Sequence, residues 1–418
     1  MTMHKVSHAV ASSDVAPYLA GPFLLRLIHP MDPRGNKVGG IETHIRSLLR
    51  NYPAGWRLLF IGIDEFGDCE IGKVRKLEFE GRTIEFLPVL RFPQEDLHKA
   101  ASSIGGSVTF RFLLAMLRHI GALRRAMAGA PGTMEIQRFE FALIPLVLHV
   151  PFVQIVHGEP DPGARMDSLL KKYWFVNRIG EWFAVKWARR VVVVHPKTLE
   201  RYRRDYPAAG ERSVFMPVSV DARTFAEAPF DVADGVLRVV FAGRLDEFKD
   251  PPTMFRVLAE THRRLGGACE FHYIGTSDPH RYPQFSLVES FTARHGFQTA
   301  PDVARIMAGC HIAILTSFFE GMPCFLLESL SVGRPAAVID LPQFDLVVEE
   351  GVSGTVIARA GTDEETTARF SEKLIALWDA IRQGRVSTAA VRAKIIKYSV
   401  GVQMQELFRL HWEAGARK

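Results

Sequence analysis

Ser317-Phe318-Phe319-Glu320-Gly321-Met322-Pro323-Cys324-Phe325-Leu326-Leu327-Glu328 follows a short apolar run at 311–315 and leads into a second apolar run. The first run reads as a buried strand. The second reads as a helix opened by Pro323, because the first helical turn has no use for the N–H that proline lacks. Strand, loop and helix in this order are the unit of an α/β fold. Glu320 then lies in the loop with Gly321 and Met322, and Glu328 lies more than one turn into the helix. Such a junction points backbone N–H groups outward and suits a phosphate. Its two carboxylates suit hydroxyl pairs, one on a sugar and one on a ribose. By spacing alone, a surface helix with two incidental glutamates reads the same way.

Working outward, strands at 237–242, 270–274 and 336–339 alternate with helical patterns, which predicts a parallel sheet covered on both faces. Upstream, 23–30 is a strand stopped by Pro30, and a loop with Gly35, Gly39 and Gly40 leads into a helix with Ile41, Ile45, Leu48 and Leu49 on one face. Strands follow at 57–63, 152–156 and 191–194, with a hairpin over 76–90 turning at Gly81-Arg82. Helical patterns occupy 108–128 and 166–189. The polar, turn-rich stretch 221–235 reads as a linker, and the helical segment 401–414 is placed to pack back on the first half. The 418 residues therefore divide into two domains, 1–225 and 232–399, with the helix at about 400–418 returning to the first.

The composition, 47% apolar and 23% charged, is that of a globular chain. Its net charge of +6 is uneven: 31 basic and 23 acidic side chains fall in residues 1–230, and the remainder is slightly acidic. A basic N-terminal half suits phosphates or an anionic membrane surface; no Arg-rich repeat or RNA-binding aromatic motif supports nucleic acid. Cys69, Cys269, Cys310 and Cys324 have neither zinc-site nor disulfide spacing, so a reducing cytoplasm is expected. Asp14 and Pro17 interrupt any signal-peptide run, and no stretch reaches the ~18 apolar residues of a transmembrane helix.

Three further signals carry chemistry. Phe241-Ala242-Gly243-Arg244-Leu245-Asp246-Glu247-Phe248-Lys249 ends a strand in Gly-Arg with a lysine five residues on. Ligands of open α/β sheets lie beyond strand carboxyl ends. Arg244 and Lys249 there would neutralise a diphosphate, or else serve as solvated loop charges. Gly39-Gly40-Ile41-Glu42-Thr43-His44 lets backbone approach a ligand closely, although turns also use Gly-Gly. In Val156-His157-Gly158-Glu159, a histidine at a strand end either contacts a reacting group or is held structurally.

Taken in this order, together with Gly333-Arg334-Pro335 and Gly351-Val352-Ser353-Gly354, the motifs resemble the retaining GT-B glycosyltransferases of glycosyltransferase family 4 over roughly residues 24–415. The resemblance implies two Rossmann-like domains facing across a deep cleft, the first binding acceptor and the second a nucleotide-sugar donor, UDP- or GDP-linked. It implies that Arg244 and Lys249 bind the diphosphate, that Glu320 contacts the donor sugar and Glu328 the ribose, and that Gly40 lends backbone N–H to the phosphates. His157 would lie beside the transferred sugar. No metal or other cofactor is implied, and the acceptor would be a glycan or a lipid-linked sugar. The implied setting is cell-surface polysaccharide or glycolipid synthesis in the cytoplasm, with peripheral binding to the inner face of the plasma membrane. Basic aromatic helices at 168–190 and the acid-free stretch 97–134 suit that membrane contact. Two departures stand out: Pro217-Val218-Ser219-Val220-Asp221 replaces the family's Pro-Asn-Gly-Val-Asp, and Asp250 occupies a position where glycine is common. A nucleotide-sugar epimerase and a non-catalytic sugar-nucleotide-binding subunit remain open as alternatives.

Overall fold

A computed structural model of the chain describes residues 22–35, 40–93, 107–129, 131–157 and 174–416. The readings at Gly39, Gly158-Glu159, 97–106 and 166–173 lie outside these residues. The first sheet contains β1 (Phe23–Ile28), β2 (Trp56–Asp64), β3 (Arg75–Phe79), β4 (Arg82–Arg91), β5 (Gly132–Ile136), β6 (Phe152–Val156), β7 (Arg190–Val193) and β8 (Ser213–Phe215). Its order is β3-β4-β2-β1-β5-β6-β7-β8, parallel except for the β3–β4 hairpin. The second sheet contains β9 (Leu237–Ala242), β10 (Cys269–Ile274), β11 (Thr292–Gly296), β12 (Ile312–Leu315), β13 (Ala336–Ile339) and β14 (Gly354–Ile357). All its described pairings are parallel, in the order β11-β10-β9-β12-β13-β14. Counted from β9 this is the doubly wound order 3-2-1-4-5-6, which reverses direction between β9 and β12. In the first sheet the reversal falls between β1 and β5. The expected α/β class with two Rossmann-like sheets is what the chain adopts.

The central strands β1, β5, β6, β12 and β13 are buried on both faces, as helix-covered parallel strands must be. Alternate residues of β1 serve two cores: Leu24 and Ile28 one, Phe23, Leu25 and Leu27 the other. The second of these cores is closed by the helix Val400–Ala416, which brings Met404, Leu407, Phe408 and Leu410 onto the first sheet. Burying each of these side chains stabilises the contact by about 2 kcal/mol. Phe408 meets the Trp56 ring at 5.6 Å, and Arg190 pairs with Glu413 at 2.8 Å. The last helix is thus part of the first domain's core.

Three readings need correction. The stretch 221–235 is not a free linker: Phe225 is buried in the core of the second sheet, with Ala228, Phe230 and Val232 packed against it. Arg334, fully buried, staples that segment by donating to the carbonyls of Ala228 and Pro229 at 2.8 Å each. The helical pattern 108–128 is two helices, Val108–Arg118 and Ile120–Met127, broken at His119, whose ring lies over Gly72. Pro323 does not occupy the first helical turn. It is the N-cap of the helix Cys324–Val332, with φ −69° and ψ 130°, an extended conformation that still needs no N–H.

Candidate active site

In the second sheet the two strands flanking the reversal, β9 and β12, release the loops that carry the sequence signals. Open parallel sheets bind ligands at this reversal, because the neighbouring loops turn to opposite faces and leave a crevice. Gly243 follows β9 with φ 146° and donates its N–H to the Ile274 carbonyl at 2.9 Å. The short turn Glu247–Lys249 then lays Lys249 against the β12 loop. Lys249 Nζ forms an ion pair with Glu320 Oε1, and both side chains are largely shielded from water. Ser317 Oγ donates to the same carboxylate oxygen at 2.7 Å, and Gln343 Nε2 donates to the Glu320 carbonyl at 2.9 Å. The two loops are also tied through their backbones: Phe318 N–H donates to Phe248 O at 2.8 Å, and Thr316 Oγ1 to Lys249 O at 2.9 Å.

Arg244 is exposed; its ion pair among the described residues is with Asp246, at 3.0 Å. Glu328 is half-buried on the helix Cys324–Val332, one turn beyond Cys324. Burial pushes its carboxyl up to about 7, and no hydrogen bond to it is found among the described residues. The helix is fixed to β9 by an edge-on contact of Phe325 with Phe241 at 5.5 Å. Met322 is buried, and Gly321 faces the other domain: a Cβ there would stand 3.6 Å from the His157 carbonyl oxygen. The loop from β12 and the end of β6 therefore meet.

In the first sheet His29, Gln137 and His157 directly follow β1, β5 and β6. Gly40 is the first residue of the helix Gly40–Asn51, with open space where a side chain would be. His157 Nε2 is hydrogen-bonded to Gln137 Oε1, and its ring stands edge-on to His44 at 5.7 Å. Burial first, then the neighbouring His44, push His157 down to about 3. It is neutral at ordinary pH.

The structure thus brings Lys249, Glu320, Gly321 and the His157 backbone together, with Glu328 on the adjoining helix; Arg244 contacts neither Lys249 nor Glu320. Sequence reasoning missed Arg359, which pairs with Asp250 at 2.8 Å and lies 4.0 Å from the centre of the Phe318 ring. It also missed Glu135, Gln137 and His411. A charged residue inside a buried strand was the available sign for Glu135. One group among the described residues, Asp64, Asp68 and Cys69, is close enough to hold a cation. Its carboxylates are already engaged: Asp68 with Arg34 and Arg75, Asp64 with Arg91.

Comparison with known proteins agrees with this architecture. Residues 237–379 match the family described as "Glycosyl transferases group 1". The chain is 24% identical over 353 residues to the alpha-D-kanosaminyltransferase of Streptomyces kanamyceticus, covering 79% of this chain and 88% of that protein. Sucrose-phosphate synthase from Thermosynechococcus elongatus superimposes with a TM-score of 0.71 at 15% identity, over 94% of this chain and all of that one. The catalytic domain of starch synthase IV from Arabidopsis thaliana, bound to ADP and acarbose, gives 0.66 at 13% identity, over 95% and 100%. Anabaena HepE in complex with UDP and glucose gives 0.63 at 14%, over 93% and 98%. Residues 237–379 are a glycosyl transferases group 1 domain, set in a chain whose two parallel sheets follow the GT-B glycosyltransferase plan.

Proposed function

We propose that the protein is a retaining glycosyltransferase that moves a hexose-type sugar from a nucleotide-diphosphate donor to a glycan or lipid-linked acceptor. The observation that carries this reading is the Lys249–Glu320 pair at the reversal of the second sheet, in a loop whose Gly321 lies against the His157 carbonyl of the first. When the bond between sugar and phosphate breaks, charge builds on the departing phosphate. Fixed cations there lower the barrier, each worth about 3–4 kcal/mol. Lys249 is held in place for this by Glu320, and the exposed Arg244 would leave its pair with Asp246 to reach the diphosphate. In this assignment Gly39, Gly40, Gly243 and Pro323 shape the backbone around the phosphates, Glu320 also grips sugar hydroxyls, and Glu328 takes the ribose diol. Same-face transfer lets the departing phosphate accept the proton of the incoming hydroxyl, with no metal in any step. The UDP and ADP named with the superimposable structures support a nucleotide donor.

The acceptor side suits a membrane. The helices Val108–Arg118 and Trp174–Trp187 flank the turn Phe139–Ala142, through contacts of Phe112 with Phe141 and of Gly180 with Phe139. Together they expose Phe110, Leu114, Leu143, Ile179, Trp182 and Trp187, with Lys186 over both tryptophan rings. Apolar rings beside basic groups bind the interface of anionic bilayers. No described helix is long and apolar enough to cross a membrane.

The test is a thermal-shift screen with UDP-, GDP- and ADP-sugars to find the donor, then turnover of variants. Lys249→Met and Glu320→Gln are each expected to lower kcat at least 100-fold while remaining folded. Glu320→Gln keeps the volume and an amide oxygen that can accept from Ser317 and from Lys249, which limits the cost of leaving the lysine without its carboxylate. Full activity in both variants refutes the assignment. Conversion of the donor sugar without any acceptor, seen by NMR, would identify an epimerase instead.

A further inference from the structure

The described residues hold a buried polar chain that the donor grip does not use. Glu135, on the central strand β5, is completely buried. Its Oε1 accepts from His44 Nε2 at 3.2 Å and from Gln137 Nε2 at 2.5 Å, and its Oε2 meets His411 Nε2 at 2.7 Å. His411 is also completely buried, and its other ring nitrogen meets Thr133 Oγ1 at 2.7 Å. The far end of the Gln137 amide meets His157 Nε2. The chain therefore runs from the last helix, through the middle of the first sheet, to the histidine that faces Gly321.

The direction of each hydrogen bond follows from the charge of Glu135. Burial alone would raise its carboxyl, but hydrogen bonds from His411 and His44 outweigh that and hold it at about 2. An ionised carboxylate only accepts, so Gln137 must turn its NH2 toward Glu135 and its carbonyl toward His157. A carbonyl only accepts, so His157 must carry its proton on Nε2, which leaves Nδ1 as a bare acceptor. Because His157 is neutral, its tautomer and not its charge is the variable the surroundings set.

We infer that Glu135 is a positioning residue: through the Gln137 amide it fixes His157 as the Nε2–H tautomer, and His411 of the C-terminal helix anchors Glu135. This inference rests on the proposed place of His157 beside the transferred sugar, but its first readout does not. Ring 15N NMR of His157 in the full-length protein is expected to show one neutral tautomer, protonated on Nε2. Glu135→Gln preserves volume but offers Gln137 either end of an amide, so a mixture of tautomers is expected. Gln137→Leu leaves Glu135 with His411 and His44, cuts the link, and should give the same mixture should Glu135→Gln fail to fold. With the donor found by the screen, both variants should lose about 10–100-fold in kcat, the usual cost of removing a partner that orients an active group, with the donor KM within about 2-fold. A wild-type Nδ1–H tautomer, or a single Nε2–H form persisting in Gln137→Leu, overturns the inference. Absence of sugar transfer in the wild type would instead sink the functional reading and leave the tautomer result standing.

Discussion

Glu328 is the residue whose environment makes the sharpest thermodynamic statement. Its folded pKa of about 7 lies above its ordinary value because burial penalises the carboxylate. Near pH 7 part of the population is protonated, whereas the ribose diol that the proposed function places on Glu328 would donate two O–H groups and favour the charged form. Nucleotide binding at pH 7 is therefore expected to release protons. Calorimetry in two buffers of different ionisation enthalpy measures that release, and Glu328→Gln should abolish it. A release unchanged in the variant would remove Glu328 from the nucleotide site. Glu328 was legible as a candidate from its spacing to Glu320, but its shifted ionisation was not, because burial is set by tertiary packing and not by local sequence.

At the scale of elements, Asp250 shows how a departure from a pattern can be accommodated. Its φ of 51° lies in the left-handed region, where glycine pays no steric cost and aspartate tolerates the strain. Here the side chain also caps the helix Pro251–Arg264, accepting from Thr253 N–H at 3.3 Å, and pairs with Arg359. Asp250→Ala should lose both the cap and the tolerance, destabilising the protein by about 2 kcal/mol in urea unfolding, and Asp250→Gly by less than about 1 kcal/mol. Equal losses in both variants would show that the backbone conformation is not the cause. The strand β5 is the opposite case. Gly132-Thr133-Met134-Glu135-Ile136 lacks the apolar run of a buried strand, so its place at the centre of the first sheet was not read. Its glycine is required because a Cβ there would come within 2.0 Å of the Leu24 carbonyl oxygen, and its glutamate is tolerated because Gln137 and two histidines from distant segments meet it.

At the scale of the molecule, the uneven charge has a location. The basic half carries the exposed aromatic face of the first domain, while the group 1 domain is slightly acidic. Binding to vesicles is therefore expected to need anionic lipid and to weaken with salt. Flotation with and without phosphatidylserine at low and high salt checks this, and replacing both Trp182 and Trp187 by serine should reduce binding at least 10-fold without lowering the melting temperature. Binding that persists on neutral vesicles, or in the double variant, would rule out this face.

The amino-acid sequence determined the alternation of strands and helices, the loops that end β9 and β12, and the residue types that meet there, because periodicity, turn residues and charge are local properties. Only the tertiary structure decided that Lys249 closes on Glu320, that Arg334 staples the supposed linker, and that His411 reaches Glu135. Each of these joins residues at least 71 positions apart, and such pairings are selected by which buried polar groups can satisfy one another once the sheets have formed.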